Sequence, residues 1–450
     1  MKLSHFFNSL LLCLATSISI SASSEAVVSS FELTEKQTVT LTLPHAINAA
    51  ITSHPSVKSA TIDVEIAKIT EKAAWAGYLP SINVATSIHG DKNSGTSQVN
   101  ATISGSQYLI GFSGPRERAK QAEVDTKIAD ISKNTLLQQR RALTESLFLN
   151  AWLKQEEKKL LEMQFQASKD SLNQAKRKFE TGLITGIDYK AQIAQTSSIE
   201  SALDSHTEQL RSVICELEEI TGLALSNDRG VYVKLMWQPN VDQTIKPISF
   251  YAEIALDNRL ELEINKATRQ RALADEKLAK GKLLPSISAV GEFSCGYTPG
   301  NTPENATSDG FLKSSFFAGV QANWNIFDRN SSKFEAEIAR AKALKANTDR
   351  EVLKKKIKKE IAKIHSELTL AQKQAKSLQA QLAATTSAQE QTDQQFAVGL
   401  ITKAQASFSE AETYKTQFAC LSQVVSFERS LCSLNAACGY APEITQELSS

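Results

Sequence analysis

The same seven-residue turn occurs twice in this chain, as FETGLIT at 179–185 and FAVGLIT at 396–402. The echo extends well beyond the turn. YLPSINV starts at Tyr78 and LLPSISA at Leu283, and LIGF at 109–112 answers WNIF at 324–327. Spacing is kept as well as wording. Pro55 precedes Pro80 by 25 residues, and Leu260 precedes Pro285 by 25. Phe112 precedes Gly182 by 70 residues, and Phe327 precedes Gly399 by 72. A duplication with preserved spacing makes each half build a similar unit, so any fold open to this chain consists of two copies of one plan.

Each copy reads in the same order. A helical stretch with a short break comes first, at 42–77 around Ser53-His54-Pro55 and at 247–282 around Asn258-Arg259-Leu260. A Leu-Pro follows, and proline biases the residue before it towards extended backbone. Strands are expected next, at about 80–110 and 285–327. The first hairpin alternates through Ile82, Val84, Thr86 and Ile88, turns through 90–97, and returns through Val99, Ala101 and Ile103. The second alternates through Phe316, Ala318, Val320, Ala322, Trp324 and Ile326, with Gly319, Gln321, Asn323 and Asn325 between as small or polar residues. Period two marks strands with one apolar and one polar face. That pattern suits a half-buried sheet, and equally a transmembrane barrel with lipid outside and water inside. Two long strands per half cannot close a pore-sized barrel, and open edges are not tolerated in hydrocarbon. The membrane reading therefore requires several copies in one barrel. Three copies would supply twelve strands, an even and permitted count, although the argument demands closure rather than the number three.

The segments after the strands are far longer. Residues 114–181 contain almost no Pro or Gly, and as a helix they would span roughly 100 Å at about 1.5 Å per residue. Residues 331–397 match them. Leu353, Ile357, Ile361, Ile364 and Leu368 step by four, four, three and four, and Leu136, Leu143, Leu147 and Ala151 form the corresponding stripe. Such narrow seams suit coiled-coil packing. The Lys and Glu residues between them read as a solvated face. Gly182 and Gly399 are placed to end the outgoing helices and Thr185 and Thr402 to cap the returning ones. Phe179, Phe396, Leu183 and Leu400 are expected to pack these turns. A duplicated tip is either a docking point or a plain connection.

Charge excludes one class of function. Fifty basic residues against 49 acidic leave a net +1, without the basic excess that nucleic-acid binding calls for. Residues 1–26 read as a secretory signal peptide, with cleavage after Ala22 or Ala26, and no later apolar run is long enough to cross a bilayer as a helix. Cys215, Cys295, Cys420, Cys432 and Cys438 are too few and scattered for a disulfide scaffold. Cys432 and Cys438 stand close enough in sequence for a local bridge, and Cys215 and Cys420 read as small core residues. His45, His54, His89, His206 and His365 form no metal-like set. HExxH, a nucleophile elbow and a glycine-rich phosphate loop are all missing. No cofactor, metal or catalytic residue is expected, and the chain does not read as an enzyme.

Taken together, the doubled helix–hairpin–long-helix unit resembles the TolC-like outer-membrane efflux proteins, the outer membrane factor family. The resemblance is carried by Leu79-Pro80-Ser81 and Leu284-Pro285-Ser286 entering the strands, Phe112 and Phe327 leaving them, and Gly182-Leu183 and Gly399-Leu400 at the tips. It implies a mixed α/β fold, mostly α. A homotrimer would share a 12-stranded transmembrane β-barrel, continuous with a periplasmic coiled-coil barrel. It also implies an outer-membrane exit channel of a tripartite efflux or type I secretion system. The partners would be a periplasmic adaptor, an inner-membrane pump and outer-membrane lipid. Gly182, Leu183, Thr185, Gly399, Leu400 and Thr402 would form the adaptor-docking tips. Asp188, Gln405 and Phe408 would form the periplasmic gate. Members of the family carry aspartates six and nine residues after the second tip glycine. Here those positions are Gln405 and Phe408, which replaces an acidic ring by an uncharged one. Phe408 either makes a hydrophobic constriction or packs between helices. The alternative function is a non-conducting periplasmic coiled-coil protein. The domain plan is a signal segment 1–26, a first repeat 27–226 with its tip turn at 182–186, and a connecting segment 227–246. A second repeat 247–438 follows, with its tip turn at 399–403, and then a tail 439–450.

Overall fold

The computed structural model describes residues 39–91, 96–111, 114–227, 230–231, 233–237, 243–298 and 311–440. The signal segment, Phe112, the first hairpin turn at 92–95 and most of the tail lie outside the described residues. The first copy runs β1 (Val39–Thr42), α1 (Leu43–Thr52), α2 (Pro55–Ala76), β2 (Ser81–Asp91), β3 (Thr96–Ile110), α3 (Pro115–Glu180) and α4 (Gly186–Thr221). Three short strands follow, β4 (Ser226–Asn227), β5 (Gly230–Val231) and β6 (Val233–Met236). The second copy runs α5 (Ile248–Asn258), α6 (Leu260–Gly281), β7 (Ser286–Thr298), β8 (Phe311–Asn323), α7 (Ser331–Ala397) and α8 (Lys403–Ala437). The fold is mixed α/β and mostly helical.

Local chemistry sets these boundaries. Pro55 occupies the first turn of α2, where its missing N–H costs nothing, and the His54 ring caps it by accepting from the Ser56 N–H at 3.1 Å. Pro115 starts α3 in the same way. The entry to α7 lacks a proline, and there the Asp328 carboxylate accepts the Ser332 N–H at 2.8 Å. The two long helices then continue for 66 and 67 residues.

The four long strands form one antiparallel sheet in the order β2-β3-β7-β8. Both hairpins are thus side by side, and among the described residues the outer edges of β2 and β8 have no partner strand. The last rung between β7 and β8 pairs Ser286 with Asn323. The alternation in the sequence continues to Ile326, but the strand stops at Asn323. The facing residue beyond that rung is Pro285, which has no N–H for a ladder, and Trp324 instead donates its indole N–H to the Leu283 carbonyl at 3.1 Å.

Two related cores hold the helices. In one, Phe148, Leu149 and Trp152 of α3 meet Leu210, Ile214 and Leu217 of α4 under Leu41 and Leu235. Those last two belong to β1 and β6, which pair in parallel. The segment after α4 is therefore part of a core. In the other, Ile357, Ile361 and Leu368 of α7 meet Phe427, Leu431 and Leu434 of α8 under Tyr251 and Ile254 of α5. The second seam matches the sequence reading. The first is met in part: Ala151 is fully buried and Leu147 packs against the core, but Leu143 is exposed, and Phe148 and Leu149, outside the expected stripe, are fully buried. Nearer the sheet the seam between α6 and α7 is small-residue. Ala336, Ala339, Ala343 and Ala346 are buried on α7, with Ala272 and Ala279 on α6. Small contact residues let helix axes approach closely.

The five cysteines in the described residues are free, so Cys432 and Cys438 are not bridged. Burial pushes both thiols up, that of Cys438 to about 12. Cys420 is a core residue as expected, whereas Cys215 lies exposed on α4.

Candidate functional site: the helical tips and the two-faced sheet

Both tips are built by the same hydrogen bonds. At the end of α3, Leu183 N–H donates to the Lys178 carbonyl at 2.8 Å and Gly182 N–H to that of Phe179 at 2.9 Å. At the end of α7, Leu400 donates to Gln395 and Gly399 to Phe396, each at 2.9 Å. This is the Schellman arrangement, which needs a left-handed residue after the helix. Gly182 and Gly399 supply it, with φ of 76° and 79°.

The returning helices start with capping boxes. Thr185 Oγ1 accepts the Asp188 N–H at 3.2 Å, and Asp188 Oδ2 accepts the Thr185 N–H at 3.2 Å. Thr402 Oγ1 accepts the Gln405 N–H at 3.4 Å, and Gln405 Oε1 accepts the Thr402 N–H at 2.9 Å. Each box satisfies two otherwise orphaned donors. Asp188 and Gln405, reached in the sequence through the gate pattern, thus also hold the turn. Their signal was readable as Thr-x-x-Asp and Thr-x-x-Gln. The tip leucines do not pack as expected, for Leu183 is 74 % and Leu400 76 % exposed. Phe179 does pack, stacking on Tyr189 with ring centroids 5.2 Å apart. Phe408 is 74 % exposed, so within one chain it does not fill a gap between helices.

The sheet separates two environments. Across its rungs Val84 faces Ile103, Ile103 faces Phe293, and Phe293 faces Phe316. Ile82, Ile88, Ala318 and Val320 lie on that same side. The adjacent row on the other side is Asn83, Ser104, Glu292 and Phe317. Serine, threonine and asparagine dominate it, and Ser294 and Ser315 share a hydrogen bond of 2.6 Å. Ile82, Val84, Phe316 and Val320 are all largely exposed. An apolar sheet face of this extent needs a covering that the described residues do not provide. The alternation argument did not foresee Phe317 on the polar side.

A third constellation joins the copies at the C-terminal turn. Glu145 of α3 is buried and accepts from Arg141 Nε at 2.9 Å and from the Tyr440 hydroxyl at 3.1 Å. The Arg141 guanidinium lies 4.2 Å above the Tyr440 ring. From the second copy, Arg259 donates to the Ala437 carbonyl at 3.2 Å and pairs with Glu360 at 3.0 Å. Burial and the nearby Glu145 carboxylate push Glu428 up to about 7. Sequence periodicity gives no sign of this junction, since its members come from separate parts of the chain. Among the described residues, no group of three or more His, Cys, Asp or Glu is placed to hold a metal ion, and no helix is long and apolar enough to cross a membrane.

Residues 46–223 and 252–439 match the family model described as outer membrane efflux protein. The two matched stretches are the two structural copies. No curated protein sequence matches the chain. The fold is similar to the Campylobacter jejuni CmeC outer membrane channel, with a TM-score of 0.71 and 14% identity over 90% of this chain and 88% of that one. It is also similar to the open state of the Neisseria gonorrhoeae MtrE outer membrane channel, with a TM-score of 0.66 and 17% identity over 88% of each chain. The outer membrane protein VceC of Vibrio cholerae gives a TM-score of 0.66 and 14% identity over 88% of this chain and 96% of that one.

Proposed function

Because the chain belongs to the outer membrane efflux protein family, we propose that it is the outer-membrane exit channel of a tripartite efflux or type I secretion system. It passes substrates passively from an inner-membrane transporter to the exterior. The observation that carries this reading is the sheet, apolar on one side, polar on the other, and unpaired at both edges among the described residues. In hydrocarbon an unpaired edge leaves backbone groups unsatisfied, so β8 of one copy must pair with β2 of the next. Three copies close a twelve-stranded barrel with lipid outside and water inside.

The helices support the same assembly. Ile62, Ile66 and Ile69 form an exposed stripe on α2, and Phe334 and Ile338 form one at the start of α7. These two helices flank the row α2-α3-α6-α7, so neighbouring copies bring the stripes together. The tips, with Leu183 and Leu400 exposed, are the docking points for a periplasmic adaptor that joins the channel to its pump. Gln405 and Phe408 face the periplasmic constriction, which closes by excluding water rather than by holding cations. In this plan residues 1–26 are removed on export, and the segment 227–246 belongs to a girdle around the helices.

The purified protein should require detergent, crosslink as a trimer, and conduct ions in planar bilayers. A soluble monomer without conductance would instead support a non-conducting coiled-coil protein. Replacing Phe408 with Ala should raise the conductance of single trimers. An unchanged closed state would remove Phe408 from the gate.

A further inference from the structure

We infer that Phe317 and Glu292 form a contact site for organic cations on the water side of the sheet. The inference rests on the reading that this side lines a water-filled passage. Both residues stand at the midpoint of their strands, Glu292 in Ser286–Thr298 and Phe317 in Phe311–Asn323, and they are partners on one rung. Phe317 stands on a face dominated by serine, threonine and asparagine, with Phe311 six residues along the same face at the end of β8, and it is 59 % exposed. Its ring is not tucked into a core. It lies along the strand over Gly319, where a Cβ would stand 3.0 Å from Phe317 Cζ. The glycine gives the ring a floor and leaves its other face open.

An aromatic face beside a carboxylate is matched to a positive, partly apolar solute. The ring attracts the cation through its quadrupole and the carboxylate through its charge. The nearest basic residue on this face of β8 is Lys313, four residues away and about 13 Å along the strand, with Gly296 as its rung partner. Glu292 therefore lies clear of Lys313 along the strand. In a shared barrel each copy adds one such pair at the same height, so a solute in the passage meets several. Quaternary or protonated amines on flat apolar bodies are the class of ligand that fits.

The test uses the full-length protein in detergent and propidium, a charged aromatic dye, read by fluorescence titration. Wild type should bind propidium, and the anionic dye pyranine should bind far more weakly. Phe317→Ser should weaken propidium binding about two- to fivefold, the range for an exposed cation–π contact. Phe317→Tyr should retain it, and Glu292→Gln should weaken it while leaving pyranine no worse bound. Equal affinity in wild type, Phe317→Ser and Glu292→Gln overturns the site. Conductance of the same preparations is measured separately. A wild type that binds propidium but does not conduct would overturn the channel and leave the site standing. A conducting wild type whose dye binding ignores both substitutions would do the reverse.

Discussion

Folding keeps a proton on Glu428 that the unfolded chain gives up. The ordinary glutamate value is 4.5, and in α8 it rises to about 7 because burial and the Glu145 carboxylate both disfavour charge. Between these values the unfolded state binds fewer protons, so stability falls as pH rises from 4.5 to about 7. Thermal unfolding of wild type compared with Glu428→Gln should show this term growing as pH drops from 7 to 5, with the glutamine variant lacking it. Asp328 and Glu351 are held below the usual carboxylate range by hydrogen bonds from Ser332 and Lys354. Their contributions are lost only at lower pH, outside that window. The tips are governed by backbone instead. Gly399→Ala meets no steric neighbour, so its cost is that of the left-handed conformation alone, about 1–2 kcal/mol, and Thr402→Ala adds about 1 kcal/mol for the lost cap. Amide hydrogen exchange should speed up at 396–406 in both variants while α5 and the centre of α7 stay protected. At this scale the turn residues were legible in the sequence, because capping geometry is local. The exposure of Leu183 and Leu400 was not, since it depends on what surrounds the tip.

For whole helices the deciding property is which stripe is buried. Ile361 sits fully buried against α8 and α5. Ile361→Ala should cost about 2–5 kcal/mol by the loss of contacts and the cavity left behind. The equivalent change at exposed Val352 should alter single-chain stability little. Chemical denaturation of the two variants, compared at equal protein concentration, checks the difference. The seam of α7 was readable because only one apolar stripe runs along that part of the helix. The seam of α3 was read in part, through Leu147 and Ala151; Phe148, Leu149 and Trp152 were missed because β1, α1 and β6 cover the helix from a second side. Buried alanines on α6 and α7 carried too little hydropathy to be noticed. The strands were readable from their alternation. The end of β8 was set by Pro285 on the strand opposite, which no pattern within β8 contains.

Across the molecule, the proposed barrel sets the two sheet faces in different media. A lysine at Val320 would face lipid, at a cost of about 2–4 kcal/mol near the midplane, whereas one at Gln321 would face water. Folding into lipid vesicles, followed by protease protection, should fail or slow markedly for Val320→Lys and proceed for Gln321→Lys. Equal yields would contradict the assignment of the faces. The four strands on which the argument for several copies rests were legible in the sequence, and the structure places them in one sheet. The constellation at Glu145 was invisible, being assembled from α3, α8 and the turn after it.

The near-equality of the two arms, 66 residues in α3 against 67 in α7, restricts how such a protein can change in length. One extra helical turn in a single arm would raise its tip by about 5.4 Å, and in the proposed trimer the rim would become a crown of alternating high and low points. Insertions are therefore admissible only as matched pairs, one per copy. The two halves behave as a caliper whose jaws must lengthen together, and a flat partner surface would measure any error between them.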